Sequence, residues 1–208
     1  MRKPEFWQAG GPAATALTPL GWAYDIYGRI RRCLTKAYRA PIPVICIGNF
    51  VAGGAGKTPV AMAIAEILIA EGGKPHFLTR GHGGNQPGPV RVDPSQHDAS
   101  AIGDEAMLLA EIAPCWVTRN RADGARAAID AGAECIIMDD GFQNPGLAKD
   151  LSLVVIDGGF GFGNGRIIPA GPLRENLSAG IRRADAAILI GGDTSNAERK
   201  LGGRLPVL

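Results

Sequence analysis

An α/β fold, a mostly parallel sheet with helices on both faces, is predicted by three observations. Short apolar runs of strand length alternate with longer segments of helical spacing. The runs at 43–47, 75–79, 115–118, 135–138, 153–156 and 186–190 are largely apolar, without strict alternation of polar and apolar residues, the pattern of strands buried on both faces. Polar residues gather just after those runs, where ligands bind in such sheets.

The 208 residues suffice for a substantial core, and 46% hydrophobic against 20% charged residues is a globular composition. A net charge of +2 gives no argument for a nucleic-acid partner, and no protein partner is predicted. Cysteines 33, 46, 115 and 135 lack metal-binding or redox spacing, and the last three sit in or beside apolar runs. They read as reduced core thiols of a cytosolic environment. Neither a secretory leader nor a bilayer-spanning run is visible.

In chain order, residues 20–39 come first. Wound at about 100° per residue, Leu20, Ala23, Tyr27, Ile30 and Leu34 form one stripe. Arg29, Arg32, Lys36 and Arg39 form another on roughly the opposite side. With Trp7, Trp22 and Tyr24 nearby, such a helix suits an anionic membrane surface. It equally suits a surface helix whose apolar stripe packs on the domain.

Gly48 to Pro59 (GNFVAGGAGKTP) follows the first strand run and precedes a helical segment at 60–70. Strand, glycine loop and helix are the context of a phosphate-binding loop. Gly53, Gly54, Ala55 and Gly56 would turn backbone N–H groups around phosphate oxygens, Lys57 would supply charge and Thr58 a hydroxyl for Mg²⁺. Val51 stands where the usual pattern has its first glycine.

Further strand ends carry the remaining chemistry. Asp139 and Asp140 follow the run at 135–138, where an acidic residue holds Mg²⁺ in phosphate-loop proteins, although Asp also caps turns. Gln143 lies near enough to assist. Asp104 and Glu105 open a helix predicted to continue over 106–112; they either offset its dipole or supply a carboxylate that takes a proton from a substrate hydroxyl. Arg80, Arg119, Arg121, Arg166 and Arg174 lie in loops or near strand ends and are candidates for anion contacts. A helix is expected over 122–131 and a loop-rich stretch over 158–175.

Taken together, PEFW at 4–7, the loop at 48–59, RGHGG at 80–84, GDE at 103–105, MDDGFQN at 138–144, GNGR at 163–166 and PAGPLRE at 169–175 resemble the tetraacyldisaccharide 4'-kinase family. The resemblance implies a phosphate-loop NTPase-like kinase that uses ATP and Mg²⁺ on the 4'-hydroxyl of a lipid disaccharide 1-phosphate. It implies residence at the anionic, cytoplasmic face of a bacterial inner membrane. Asp104 would be the base, and Lys57 would serve ATP and stabilise the phosphoryl charge. Thr58, Asp139 and Asp140 would serve the metal, and Gln143 the nucleotide. Arg80, Asn164, Arg166 and Arg174 would face the substrate. The family often carries Ser where this chain has Val51 and Tyr where it has His82.

Domain organisation is expected as an amphipathic, membrane-associating segment over 1–40 and a kinase core over 41–208, without the family's C-terminal lobe. The alternative function is a membrane-surface nucleotide-binding module that lacks kinase activity for want of that lobe.

Overall fold

The computed structural model describes residues 4–84 and 88–208. In chain order its elements are α1 (Phe6–Ala9), α2 (Pro12–Leu34), β1 (Val44–Gly48), α3 (Lys57–Ala70), β2 (Pro75–Thr79), β3 (Val90–Arg91), α4 (Ala99–Ile102), α5 (Asp104–Ile112), β4 (Cys115–Val117), α6 (Arg121–Asp130), β5 (Cys135–Asp139), β6 (Leu151–Asp157), α7 (Leu177–Ile181), β7 (Ala186–Ile190) and α8 (Ala197–Leu201). They fall into two compact units: residues 36–48 with 57–151, and residues 1–35 with 49–56 and 152–208.

In the unit formed by 36–48 and 57–151 the strands run in the order β3-β4-β2-β5-β1. All neighbours are parallel except β3, which lies antiparallel on β4. Every residue of β2 and four of the five in β5 are buried. Since alternate side chains point to opposite faces, burial along the whole strand means that both faces are covered. α3 packs on β1, β2 and β5, while α6 packs on β2 and β4. Phe77, Leu78, Ile136, Ile137 and Met138 are fully buried, each contributing about 1.5–3 kcal/mol by leaving water. The register pairs Ile47 with Asp139, Leu78 with Met138 and Thr79 with Val117. The carboxyl ends of four strands therefore open on one edge.

The other unit contains α2, the glycine loop at 49–56, and the parallel pair β6 and β7, registered from Leu153 opposite Ala186 to Asp157 opposite Ile190. Here α2 differs from its expected span. It begins at Pro12, whose missing N–H costs nothing in a first helical turn. It carries Pro19 internally and stops at Leu34, so Lys36 and Arg39 are off the helix. Arg39 instead pairs with Asp150 at 3.1 Å. The expected apolar stripe is found, but it faces outward: Tyr27 is 66% and Leu34 81% exposed, with Leu20 and Ile30 also exposed. Among the described residues no helix is long and apolar enough to cross a membrane.

Candidate phosphate-transfer site

Four predicted residues meet where β5 ends and α3 begins. Thr58 Oγ1 donates to Asp139 Oδ2 at 3.0 Å, and Lys57 Nζ lies 3.7 Å from Asp140 Oδ1. Asp139 is the last residue of β5 and fully buried, while Lys57 opens α3 and is 8% exposed. Asp140 takes a left-handed backbone conformation, φ 50°, which Asp tolerates better than most residues. That turn ends the strand and separates the two neighbouring carboxylates in role: one reaches Thr58, the other Lys57.

Burial pushes the Asp139 carboxyl up to about 6. The hydrogen bond from Thr58 and the charge of Lys57 act in the opposite sense, whereas Glu105 and Asp140 raise it further. Its second oxygen, Oδ1, is buried without a hydrogen-bond partner. An orphaned buried carboxylate oxygen beside a threonine hydroxyl is what a hard cation requires. Among the described residues no three His, Cys, Asp or Glu side chains gather closely enough to cage a metal by themselves. Thr58 and Asp139 are oxygen donors that fit a hard cation such as Mg²⁺, which keeps waters and substrate phosphates in its shell.

Asp104 and Glu105 are exposed at the start of α5. Glu105 is near enough for its charge to act on Asp139. The turn into α5 rests against the 80–84 loop: at Gly103, φ 90°, a Cβ would stand 2.5 Å from the His82 carbonyl oxygen. Arg80 and Arg119 line a cavity of about 310 Å³ with residues 81–84. Arg121, offered by the sequence only as one of five loop arginines, is instead buried. Its guanidinium donates to the Thr79 carbonyl at 2.9 Å and to the Thr118 carbonyl. It thereby ties the ends of β2 and β4, and burial followed by the charge of Arg80 pushes its pKa down to about 10. Lys149, which no motif marked, donates to the carbonyls of Phe142 and Asn144 at 3.1 and 2.7 Å. It braces the segment holding Gln143, itself half-buried.

In the other unit, the glycine loop adopts positive φ at Gly53 (103°) and Gly56 (78°), as a chain that must turn its N–H groups inward requires. Residues 172–174 hold it. The Ala52 N–H donates to the Pro172 carbonyl at 2.8 Å, Val51 bridges Leu173, and the Arg174 N–H donates to the Phe50 carbonyl at 2.8 Å. Asn49 Nδ2 closes the loop on the Gly53 carbonyl at 3.1 Å. Asn164 donates to the carbonyls of Phe6 and Ala170, at 2.8 and 3.0 Å, and accepts from the Arg166 N–H. Its amide shapes the loop and anchors α1. Arg166 reaches Thr18 on α2.

A glycine loop leading into a helix that starts with Lys-Thr, and paired carboxylates closing a parallel strand, define a phosphate-loop nucleotide-binding protein of the α/β class. A family model described as LpxK, tetraacyldisaccharide-1-P 4'-kinase, matches residues 13–204. The chain belongs to that family. It is 56% identical over 206 residues to the tetraacyldisaccharide 4'-kinase of Rhodospirillum rubrum, covering 99% of this chain and 61% of that protein. To the kinase of Gluconacetobacter diazotrophicus it is 55% identical over 210 residues, covering 100% and 64%. A crystal structure of an "apo" form of LpxK from Aquifex aeolicus in complex with ATP is similar, with a TM-score of 0.75, 30% identity, and coverage of 86% of this chain and 59% of that one. The chain thus spans about three fifths of the length of the relatives it matches.

Proposed function

We propose that the chain is the nucleotide-binding core of a kinase that transfers the γ-phosphate of ATP to the 4'-hydroxyl of tetraacyldisaccharide 1-phosphate. The observation that carries this reading is the meeting of Lys57 and Thr58 with Asp140 and Asp139 at the α3–β5 edge, in a chain of this family. The Aquifex aeolicus relative holds ATP, which supports ATP as the donor here.

Thr58 and Asp139 would hold Mg²⁺, which when bound neutralises phosphate charge. Lys57 offsets charge on the transferring phosphoryl group. Asp104 accepts the proton of the sugar hydroxyl as its oxygen bonds to the γ-phosphorus and the bond to the β-phosphate oxygen breaks, releasing ADP. Arg121, fixed between two strand ends, is near enough for the charges of Asp140 and Asp139 to act on it. Substrate contacts are assigned to Arg80 and Arg174, with Asn164 and Arg166 on the loop after β6.

Location at the cytoplasmic face of the inner membrane is supported by α2. Its outward apolar residues, beside Arg29 and Arg31, suit insertion among anionic headgroups without spanning the bilayer.

The test is a labelled Mg-ATP transfer assay on tetraacyldisaccharide 1-phosphate in detergent micelles, using this chain and the corresponding full-length protein. Lipid phosphorylation by either supports the assignment. ATP binding without lipid product in both would make the chain a nucleotide-binding module instead.

A further inference from the structure

The phosphate-transfer step above makes no use of Lys149, although its ammonium is spent on the segment that follows the two carboxylates. We propose that Lys149 is a positioning residue for nucleotide binding: it fixes the turn at 141–144 and so presents Gln143 to the nucleotide. The proposal rests on the nucleotide-binding reading above and adds to it a residue that acts only through another.

The Asn144 N–H donates to the Gly141 carbonyl at 2.9 Å, which puts Phe142 and Gln143 at the two corners of a turn. Lys149 Nζ donates to the Phe142 carbonyl at 3.1 Å and to the Asn144 carbonyl at 2.7 Å. Those two carbonyls stand on either side of Gln143. Because a peptide unit is planar and trans, a Phe142 carbonyl aimed at the ammonium turns the Gln143 N–H the opposite way. One cation thereby fixes the rotation of the turn. Its seat on the sheet is fixed by close packing: a Cβ on Gly141 would collide with Met138 Sδ, and one on Gly48 with Phe142 Cβ. The turn therefore has no slack against the ends of β5 and β1, and Lys149 supplies the remaining constraint.

A lysine left as a solvated surface charge keeps its rotamer freedom, whereas Lys149 is half-buried and its stem is immobilised. Its backbone is held on both sides. The Ala148 N–H donates to the Tyr38 carbonyl at 2.8 Å and the Asp150 N–H to the Val44 carbonyl at 2.9 Å. Asp150 Oδ2 accepts in return from the Val44 N–H at 2.9 Å. From that rigid base a charged donor makes bonds roughly twice as strong as neutral ones. Removing it strips the donor from two carbonyls of one turn. Lys149 also lies near the site: at Cys46, buried opposite Met138, its charge acts more strongly than those of Asp140 and Asp139.

The experiment is calorimetric titration of the full chain with Mg-ATP. Wild type is compared with Lys149→Met, Lys149→Arg, Gln143→Ala and the double variant of Lys149→Met with Gln143→Ala. Lys74→Met is the control, since Lys74 is an exposed lysine of the same unit that pairs with Glu134. Lys149→Met keeps the apolar stem and loses the donors, and it is expected to weaken ATP binding about tenfold. Lys149→Arg should stay within about threefold of wild type, because a guanidinium can also donate to two carbonyls. Lys74→Met should change nothing. The double variant should bind no more weakly than the weaker single variant, because without Gln143 there is nothing left to position. Losses that multiply in the double variant overturn the proposal, as does wild-type affinity in a Lys149→Met that unfolds in urea as a folded chain does. If Lys149→Met does not fold, Lys149→Gln replaces it; a smaller loss is then expected, and no loss overturns the proposal. A wild-type chain that binds no ATP overturns the proposal and the nucleotide-binding reading together. A chain that binds ATP but phosphorylates no lipid sinks the kinase assignment alone.

Discussion

Thr58 Oγ1 donates to Asp139 Oδ2 across 3.0 Å, and that bond joins the first turn of α3 to the last residue of β5. It offsets only part of the cost of burying the carboxylate, whose pKa still lies at about 6 against an ordinary 3.8. A carboxyl that holds its proton more tightly when folded favours the native state most at low pH. Its contribution is fully present below about 4, declines as pH rises to about 6, and stays lost above that. Asp139→Asn removes the buried charge. The variant is expected to be more stable than wild type at pH 8, by on the order of a few kcal/mol, and indistinguishable near pH 4, while losing phosphate transfer. Urea unfolding at the two pH values checks this. A variant less stable at pH 8 would mean that the charge is compensated by partners beyond Thr58 and Lys57.

Lys57 and Asp104 separate binding from chemistry. Lys57 is buried beside Asp140, and in the proposed mechanism it would act on phosphate in the ground state and during transfer, so Lys57→Ala is expected to weaken ATP binding and abolish product. Asp104 is exposed, and in the proposed mechanism it would act on the acceptor hydroxyl alone, so Asp104→Ala should bind ATP as wild type does while turnover falls by at least about a hundredfold. Calorimetric ATP titration beside the transfer assay measures both. Undiminished turnover in Asp104→Ala would move the base to Glu105, whose charge already acts on Asp139.

Glu175 is the anchor beneath the glycine loop. Its carboxylate, 1% exposed, pairs with Arg183 and lies 3.6 Å from Arg32 on α2. The three residues before it hold Phe50, Val51 and Ala52 by backbone bonds. Removing one partner of a buried charge cluster leaves the others uncompensated, so Glu175→Gln should cost about 3 kcal/mol. It should also weaken nucleotide binding, because the loop loses its support. Arg32→Ala, which removes a partly exposed partner, should cost less than half as much. Equal ATP affinity in wild type and Glu175→Gln would show that the loop holds its shape without the anchor.

Much of this architecture was legible because strand burial leaves a local trace. Pro75–Thr79 and Ala186–Ile190 are found as expected, and β1, β4, β5 and β6 begin and end within two residues of the expected runs. The start of α2 was not legible, because Pro12 and Pro19 read as breakers when one opens the helix and the other is tolerated within it. Lys57, Thr58, Asp139 and Asp140 could be named from motifs because each follows or opens an element whose periodicity is visible. Arg121 could be seen but not understood: it is buried only because two strand ends, 39 residues apart in sequence at Thr79 and Thr118, present their carbonyls together. Glu175 and Lys149 act through partners distant in sequence or through backbone carbonyls, and neither leaves a spacing to read.

The outward face of α2 supplies the last prediction. Ile30 and Leu34 are 52% and 81% exposed, so neither substitution to Glu removes core packing, and unfolding stability should change by no more than about 0.5 kcal/mol. On vesicles rich in anionic lipid, each loses apolar burial and adds a charge that the surface repels. Co-sedimentation of Ile30→Glu and Leu34→Glu is therefore expected to fall about tenfold, with the double variant lower still. Raising salt should weaken wild-type binding only in part, since Arg29 and Arg31 contribute a screened attraction while the apolar residues do not. Binding that vanishes at high salt and ignores both Glu substitutions would reduce the helix to a basic patch and remove its apolar face from the interaction.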